Sequence, residues 1–181
     1  MPILQMREAR FVRDNETLVA PINLELEYGE RLAQAFPSAY QASIVALMAA
    51  GIVKATSGRV FISEYDPIIQ PVQVKRLVGY VPHEAVPLHF RTFATYIEYR
   101  AALWSLSRDE ALQRASALLA QLDGVHEAFA FPLVGALIAR PELLVLDRPQ
   151  AAYANQILAV VGSTSVFSTH AGAREVAAFE R

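Results

Sequence analysis

Apolar and polar residues alternate along positions 4–11 and again along 22–27, giving each segment one oily and one wet face, as in half-buried antiparallel strands. Tyr28, Gly29 and Glu30 form a turn between the second segment and a further strand over 31–36. The pattern then changes period. Residues 43–50 (Ser-Ile-Val-Ala-Leu-Met-Ala-Ala) predict a helix that stops at Gly51, the residue best suited to the left-handed position after a helix end. Thr56-Ser57-Gly58 turns into a strand over 59–62, and 77–81 reads as a short buried strand closed by Pro82.

A mostly helical middle follows. Residues 92–104 place Phe93, Ile97 and Leu103 at apolar positions, with Tyr96 and Tyr99 between them. Ser107 and Glu110 have the spacing of a capping box, in which each satisfies a free backbone donor of the other, and the helix they start runs to about Leu122. Residues 133–140 predict another helix, ended by Pro141. Residues 143–146 are a fully apolar strand running into Asp147; 165–168 are a last strand before His170, and 171–180 a last helix. Strands alternating with helices predict an α/β fold with a mainly parallel sheet, and the early alternating strands add a small antiparallel section. The expectation is one domain over 1–181.

Composition narrows the function classes. The chain has 181 residues and is 54% hydrophobic, with a mean hydropathy of +0.26. Its apolar runs are too short to cross a bilayer, and its first residues lack the charged and apolar blocks of a signal peptide. The apolar excess predicts a well-filled core or a face that meets a partner. A formal net charge of −2 gives no general attraction to nucleic acid. The absence of cysteine excludes disulfides and thiolate metal sites and fits the cytosol. His83, His89, His126 and His170 are scattered without metal-ligand spacing, so no metal is assigned. Positive charge is carried almost wholly by arginine; the two lysines are Lys54 and Lys75.

Phe36–Ser43, FPSAYQAS, occupies a strand-to-helix junction of the kind that cradles phosphate. A phosphate loop there reads G-x-x-x-x-G-K-[ST]: glycines admit the backbone to the phosphates, lysine adds charge, and the hydroxyl holds Mg²⁺. Phe36 and Gln41 stand at the glycine positions, Ala42 at the lysine, and Ser43 alone is retained.

Around that junction the chain resembles the ATP-binding subunit of an ABC transporter, in the family's order. The matching stretches are 22–32 entering the Walker A loop, Thr56-Ser57-Gly58 and the strand after it, 78–82 leading to the Q-loop, 136–147 into Walker B with Pro149 after it, and Ser168-Thr169-His170 at the H-loop. The resemblance implies a P-loop NTPase-like ABC ATPase fold. Its core α/β lobe would comprise 1–82 and 133–181, with a reduced helical lobe over 83–132. Several residues depart from the pattern. His83 stands at the Q-loop glutamine and Arg148 at the catalytic glutamate, so a base becomes a permanent cation. The stretch DGVHEAFAFPLVG replaces the signature, and Tyr153-Ala154 stands at the D-loop Leu-Asp.

These departures predict a degenerate ATP-binding subunit, leaning away from enzymatic activity. Asp147 and His170 are vestigial catalytic positions; Phe11, Ser43 and Asp147 are vestigial nucleotide-binding ones, with ATP and Mg²⁺ the cofactors if any. The residues alone favour plainer roles: a hydrogen-bonded His170, an Asp147–Arg148 pairing and a packed Phe11. The resemblance implies a cytoplasmic protein, peripheral to the membrane. Its partner would be an integral membrane permease or a second ATP-binding subunit, met through Phe90, Arg91, Phe93 and Tyr96, unless these aromatics fill the helical lobe. Two alternatives are an ATP-hydrolysing half of a heterodimer and a soluble regulatory protein outside transport.

Overall fold

The computed structural model describes residues 1–83, 90 and 92–179. The chain runs through β1 (Leu4–Arg13), β2 (Glu16–Leu26), β3 (Arg31–Ala35), α1 (Ala39–Ala49), β4 (Ser57–Ile62), α2 (Pro71–Leu77) and β5 (Val78–Val81). Then come α3 (Phe93–Leu103), α4 (Arg108–Ala120), α5 (Glu127–Leu137), β6 (Leu143–Asp147), α6 (Ala154–Val161) and β7 (Ser165–His170). Two sheets result. One is antiparallel with order β2-β1-β4, and the other is parallel with order β3-β7-β6-β5.

Helix α1 lies between the sheets. It buries Ile44, Val45 and Met48 in a core shared with Leu4, Met6 and Ile62 of the antiparallel sheet and with Leu143, Val145 and Phe167 of the parallel one. The alternate residues of the same strands, Leu144, Leu146 and Val166, face a second core built with α3, α4, α5 and α6. All five residues of β6 are therefore buried, which explains why its sequence is an unbroken apolar run and not an alternating one. The α/β class, the parallel sheet and the antiparallel section are as the hydrophobic pattern predicts.

Several boundaries differ, for local reasons. Helix α1 begins at Ala39 instead of Ser43, because the Ser38 hydroxyl accepts from the Gln41 N–H at 3.2 Å and caps it. Gly51 does take the left-handed position expected of it, with φ +69°. Helix α2 was not foreseen: Pro71 starts it at the first turn, where proline's missing N–H costs nothing. Ser107 precedes α4 but makes no side-chain cap bond, and Glu110 pairs with Arg114 one turn on instead. The capping box belongs to α3, where Thr92 and Thr95 satisfy each other's backbone N–H. Helix α5 begins at Glu127 and carries Pro132 within it. The predicted last helix is reduced to a single 3₁₀ turn at Val176–Ala178, after Gly172 turns the chain at φ +115°.

Gly58 is required by its neighbours. Its φ is +76°, and a Cβ there would lie 2.0 Å from the Glu8 carbonyl oxygen. Glu8 itself bulges out of β1 at φ +49°, between residues paired with β4 on either side.

Candidate functional site

Parallel strands β3, β6 and β7 end together, in register, so Ala35 lies beside His170 and Asp147 beside Thr169. The crevice beyond the carboxyl ends of such strands is where open α/β sheets hold ligands, and the start of α1 opens onto it. Only Phe36, Pro37 and Ser38 connect β3 to α1. Several backbone donors of this junction are engaged by the protein itself. The Phe36 N–H donates to the His170 carbonyl at 2.8 Å and the Ala42 N–H to the Ser38 carbonyl at 3.0 Å. Ala42 is wholly buried, and Tyr40 projects from the first turn half exposed.

One turn into α1, the Ser43 hydroxyl points at the end of β6. It lies 2.9 and 2.8 Å from the two Asp147 carboxylate oxygens. Arg148 Nε donates to Asp147 Oδ1 at 3.2 Å, and the Tyr80 hydroxyl donates to Oδ2 at 3.4 Å. Asp147 is buried, and the Arg148 side chain is 19% exposed. The carboxylate is thus neutralised by one cation and approached by two hydroxyls. Burial, then the adjacent negative charge, raises the Tyr80 phenol well above its ordinary value, so it remains a donor. Arg148 takes a left-handed backbone conformation at φ +48°, and its carbonyl receives a 2.9 Å bond from His83 Nδ1. Because a carbonyl can only accept, the His83 proton sits on Nδ1.

His170 closes the opposite side and is fully buried. Its Nε2 lies 2.9 Å from the Ser168 hydroxyl, and its Nδ1 lies 3.6 Å from a Glu175 carboxylate oxygen, beyond hydrogen-bond reach. Phe179 packs on its ring at 5.2 Å. Burial lowers the imidazole's pKa while Glu175 pulls it upward, and burial prevails. Among the described residues, the Thr169 hydroxyl and Gln41 Oε1 are also buried with no hydrogen-bond partner.

Of the positions singled out from the sequence, the structure joins Ser43 and Asp147 directly, sets His170 on the adjacent strand β7 next to the residue paired with Asp147, and pairs Asp147 with Arg148. Phe11 lies on β1 opposite Val19 and packs, partly buried, against the core that contains α1. Tyr80 is the participant that sequence reasoning missed. Its position on a short buried strand shows as packing, and only the register of β5 with β6 brings it to the carboxylate. No group of three or more metal-ligating side chains occurs among the described residues. Ser43 and Asp147 have the hard oxygen donors Mg²⁺ takes, but the guanidinium of Arg148 on Oδ1 opposes a cation there, so the set does not fit one as it stands.

The aromatic group lies on the helical side. Phe90 and Phe93 pack partly buried against the helical core, while Tyr96 is buried and Tyr99 half exposed. Phe90 stacks at 5.5 Å from Tyr96 and 5.1 Å from Tyr99, and Phe93 at 4.5 Å from Phe131. Phe90, Tyr96 and Tyr99, with Tyr80, Pro82, Arg100 and Pro132, line a cleft of about 290 Å³. Arg91 lies outside the described residues.

The fold is that of the ABC ATPases, a P-loop NTPase-like α/β unit. The structure superimposes on an ATP-binding cassette solved as a dimer with ADP and Pi at a TM-score of 0.77 and 16% identity, covering 98% of this chain and 91% of that one. In sequence it is 28% identical to the sulfate/thiosulfate import ATP-binding protein CysA of Xylella fastidiosa strain Temecula1, over 92% of this chain and 56% of that protein. It is 29% identical to CysA 2 of Agrobacterium fabrum strain C58, over 87% and 53%. The chain is thus similar in sequence to ATP-binding proteins of import systems and shares its fold with the solved ATP-binding cassette. The chain spans about half the length of the curated relatives it matches. No protein-family model matches it.

Proposed function

We propose that this chain is a pseudo-ATPase, an ATP-binding-type subunit of an ABC import system that serves as a docking or regulatory piece. Its partner is a membrane permease or an active ATP-binding subunit. The observation that carries the reading is the closed cluster of Ser43, Asp147 and Arg148. The hydroxyl and carboxylate expected to hold Mg²⁺ bond to each other, and a fixed guanidinium supplies the charge the metal would bring. Two further features support it. The Phe36 and Gln41 N–H groups at the strand-to-helix junction are committed to the fold, and Arg148 cannot act as a general base. Import as the setting rests on the names of the sulfate/thiosulfate import relatives.

In this reading Phe11, Ser43, Asp147 and His170 are remnants of a nucleotide site on a single unit with a reduced helical lobe over 83–132. Permease contact falls to the cleft lined by Phe90, Tyr96, Tyr99 and Arg100, aromatic and arginine side chains being those that dominate protein interfaces. The protein acts on the cytoplasmic face, and no helix among the described residues is long and apolar enough to cross a membrane. Isothermal titration with Mg-ATP is the test. Absence of binding is expected, whereas low-micromolar affinity with turnover overturns the proposal.

A further inference from the structure

A second surface, sharing no residue with the Asp147 cluster or the aromatic cleft, gathers side chains that the reading above leaves unused. Four aliphatic residues there are more than half exposed: Ile52 after α1, Ile68 and Ile69 in the loop before α2, and Val72 on α2. They belong to one neighbourhood. Gly51 sits against Pro67 and Val74 so closely that a Cβ would lie 2.9 Å and 3.0 Å from their side chains. Ile52, Ile68, Lys54 and Arg59 line a single depression of about 240 Å³. On α2, Val74 faces the core, so Val72, Lys75 and Arg76, at three- and four-residue spacing, share the outward face.

The cations of this face include both lysines of the chain, and among the described residues none of Lys54, Arg59, Lys75 and Arg76 takes part in an ion pair. Arg59 on β4 stands directly opposite Arg7 on β1, an unfavourable like-charge pair, and among the described residues neither takes part in an ion pair. Two carboxylates lie in the same stretch: Asp66, which borders the depression and accepts the Ile68 N–H at 2.8 Å, and the exposed Glu64. Residues 52–76 thus carry four cations against two carboxylates, a local excess of positive charge around protruding aliphatic tips on a chain of formal net charge −2.

We infer that this face, formed by Ile52, Ile68, Ile69 and Val72 with Lys54, Arg59, Lys75 and Arg76, rests on an anionic lipid surface. Protein interfaces favour aromatic residues and arginine and are poor in lysine. Here the exposed apolar residues are all aliphatic, and both lysines are present. Aliphatic tips interleaved with cations suit the headgroup boundary, where the tips enter the acyl edge and the charges meet anionic headgroups. Each Lys or Arg close to such a surface strengthens binding about fivefold. The inference is independent of the state of the nucleotide site.

Co-sedimentation of the full chain with vesicles tests it. We compare vesicles of phosphatidylcholine alone with vesicles of phosphatidylcholine and phosphatidylglycerol in about equal parts. Binding is expected to the anionic vesicles only, weakened by salt. The exposed double variant Lys75→Glu/Arg76→Glu should reduce it by about tenfold or more, and Ile69→Ser/Val72→Ser by several-fold, about three- to tenfold. Far-UV circular dichroism verifies that each variant is folded, and either variant alone is decisive. Equal binding to both vesicle types, no binding, or variants that bind as the parent does would overturn the inference. Variant-sensitive binding to an acidic amphipathic helical peptide, without binding to vesicles, would also overturn it and assign the face to a protein partner.

Discussion

The Ser43 hydroxyl donates to the Asp147 carboxylate across 104 residues of sequence, 2.8 Å from Oδ2, and so ties α1 to the end of β6. The same carboxylate carries the Arg148 guanidinium. A buried anion in this position is tolerable because it is paired and hydrogen-bonded, and each partner's removal has a distinct cost.

Ser43→Ala leaves one carboxylate lone-pair direction unsatisfied in a buried site. It should destabilise the fold by about 1–3 kcal/mol, read as a lower urea midpoint at unchanged slope. A midpoint equal to that of the parent would mean that the hydroxyl does not satisfy Asp147 in solution.

Removing the cation should be worse. Arg148→Met keeps much of the volume but strands the Asp147 charge, with an expected loss of about 3 kcal/mol. Adding Asp147→Asn to that variant removes the stranded charge and should recover part of the loss. Equal stability of the single and double variants would show that the pair is not coupled.

His170 predicts a dependence on pH. Burial lowers its folded pKa, and the unfolded imidazole titrates near about 6.5. Between those values the unfolded chain binds more protons, so this contribution is complete above about pH 6.5 and is lost as pH falls through the folded value. The melting temperature should therefore drop on mild acidification, and His170→Gln should flatten that part of the profile. A melting temperature that rises on acidification would show that Glu175, and not burial, governs the imidazole.

Gly135 on α5 faces Tyr96, and a Cβ there would lie 2.1 Å from the Tyr96 hydroxyl oxygen. Gly135→Ala should therefore destabilise the protein by about 1–3 kcal/mol through overpacking, against the usual gain of alanine in a helix. Tyr96→Leu in the same chain should relieve part of that cost, measured by thermal unfolding.

How much of this was legible in sequence follows from the range of the forces involved. The central strand of the parallel sheet was readable because it is a short apolar run bounded by turn or breaker residues, at 143–146 before Asp147. Helix starts were not. Ser38 caps α1 through its own side chain, whereas Ser107, with better spacing for a capping box, makes no such bond. A cap depends on backbone angles that several residues set together. Helix α6 carries Ala154, Ile157 and Val161 at helical spacing, a pattern that was present in the sequence and overlooked. At the site, the Asp147–Arg148 pairing was foreseeable because the residues are adjacent. The Ser43 and Tyr80 contacts required the register of β5, β6 and the packing of α1, which are long-range properties.

The central claim is that the polar cluster at Asp147 replaces a nucleotide and its metal, and calorimetric titration of the chain with Mg-ATP tests it most directly. The account predicts no heat of binding above dilution and no phosphate release. Saturable binding at low-micromolar concentration, accompanied by turnover, would contradict it.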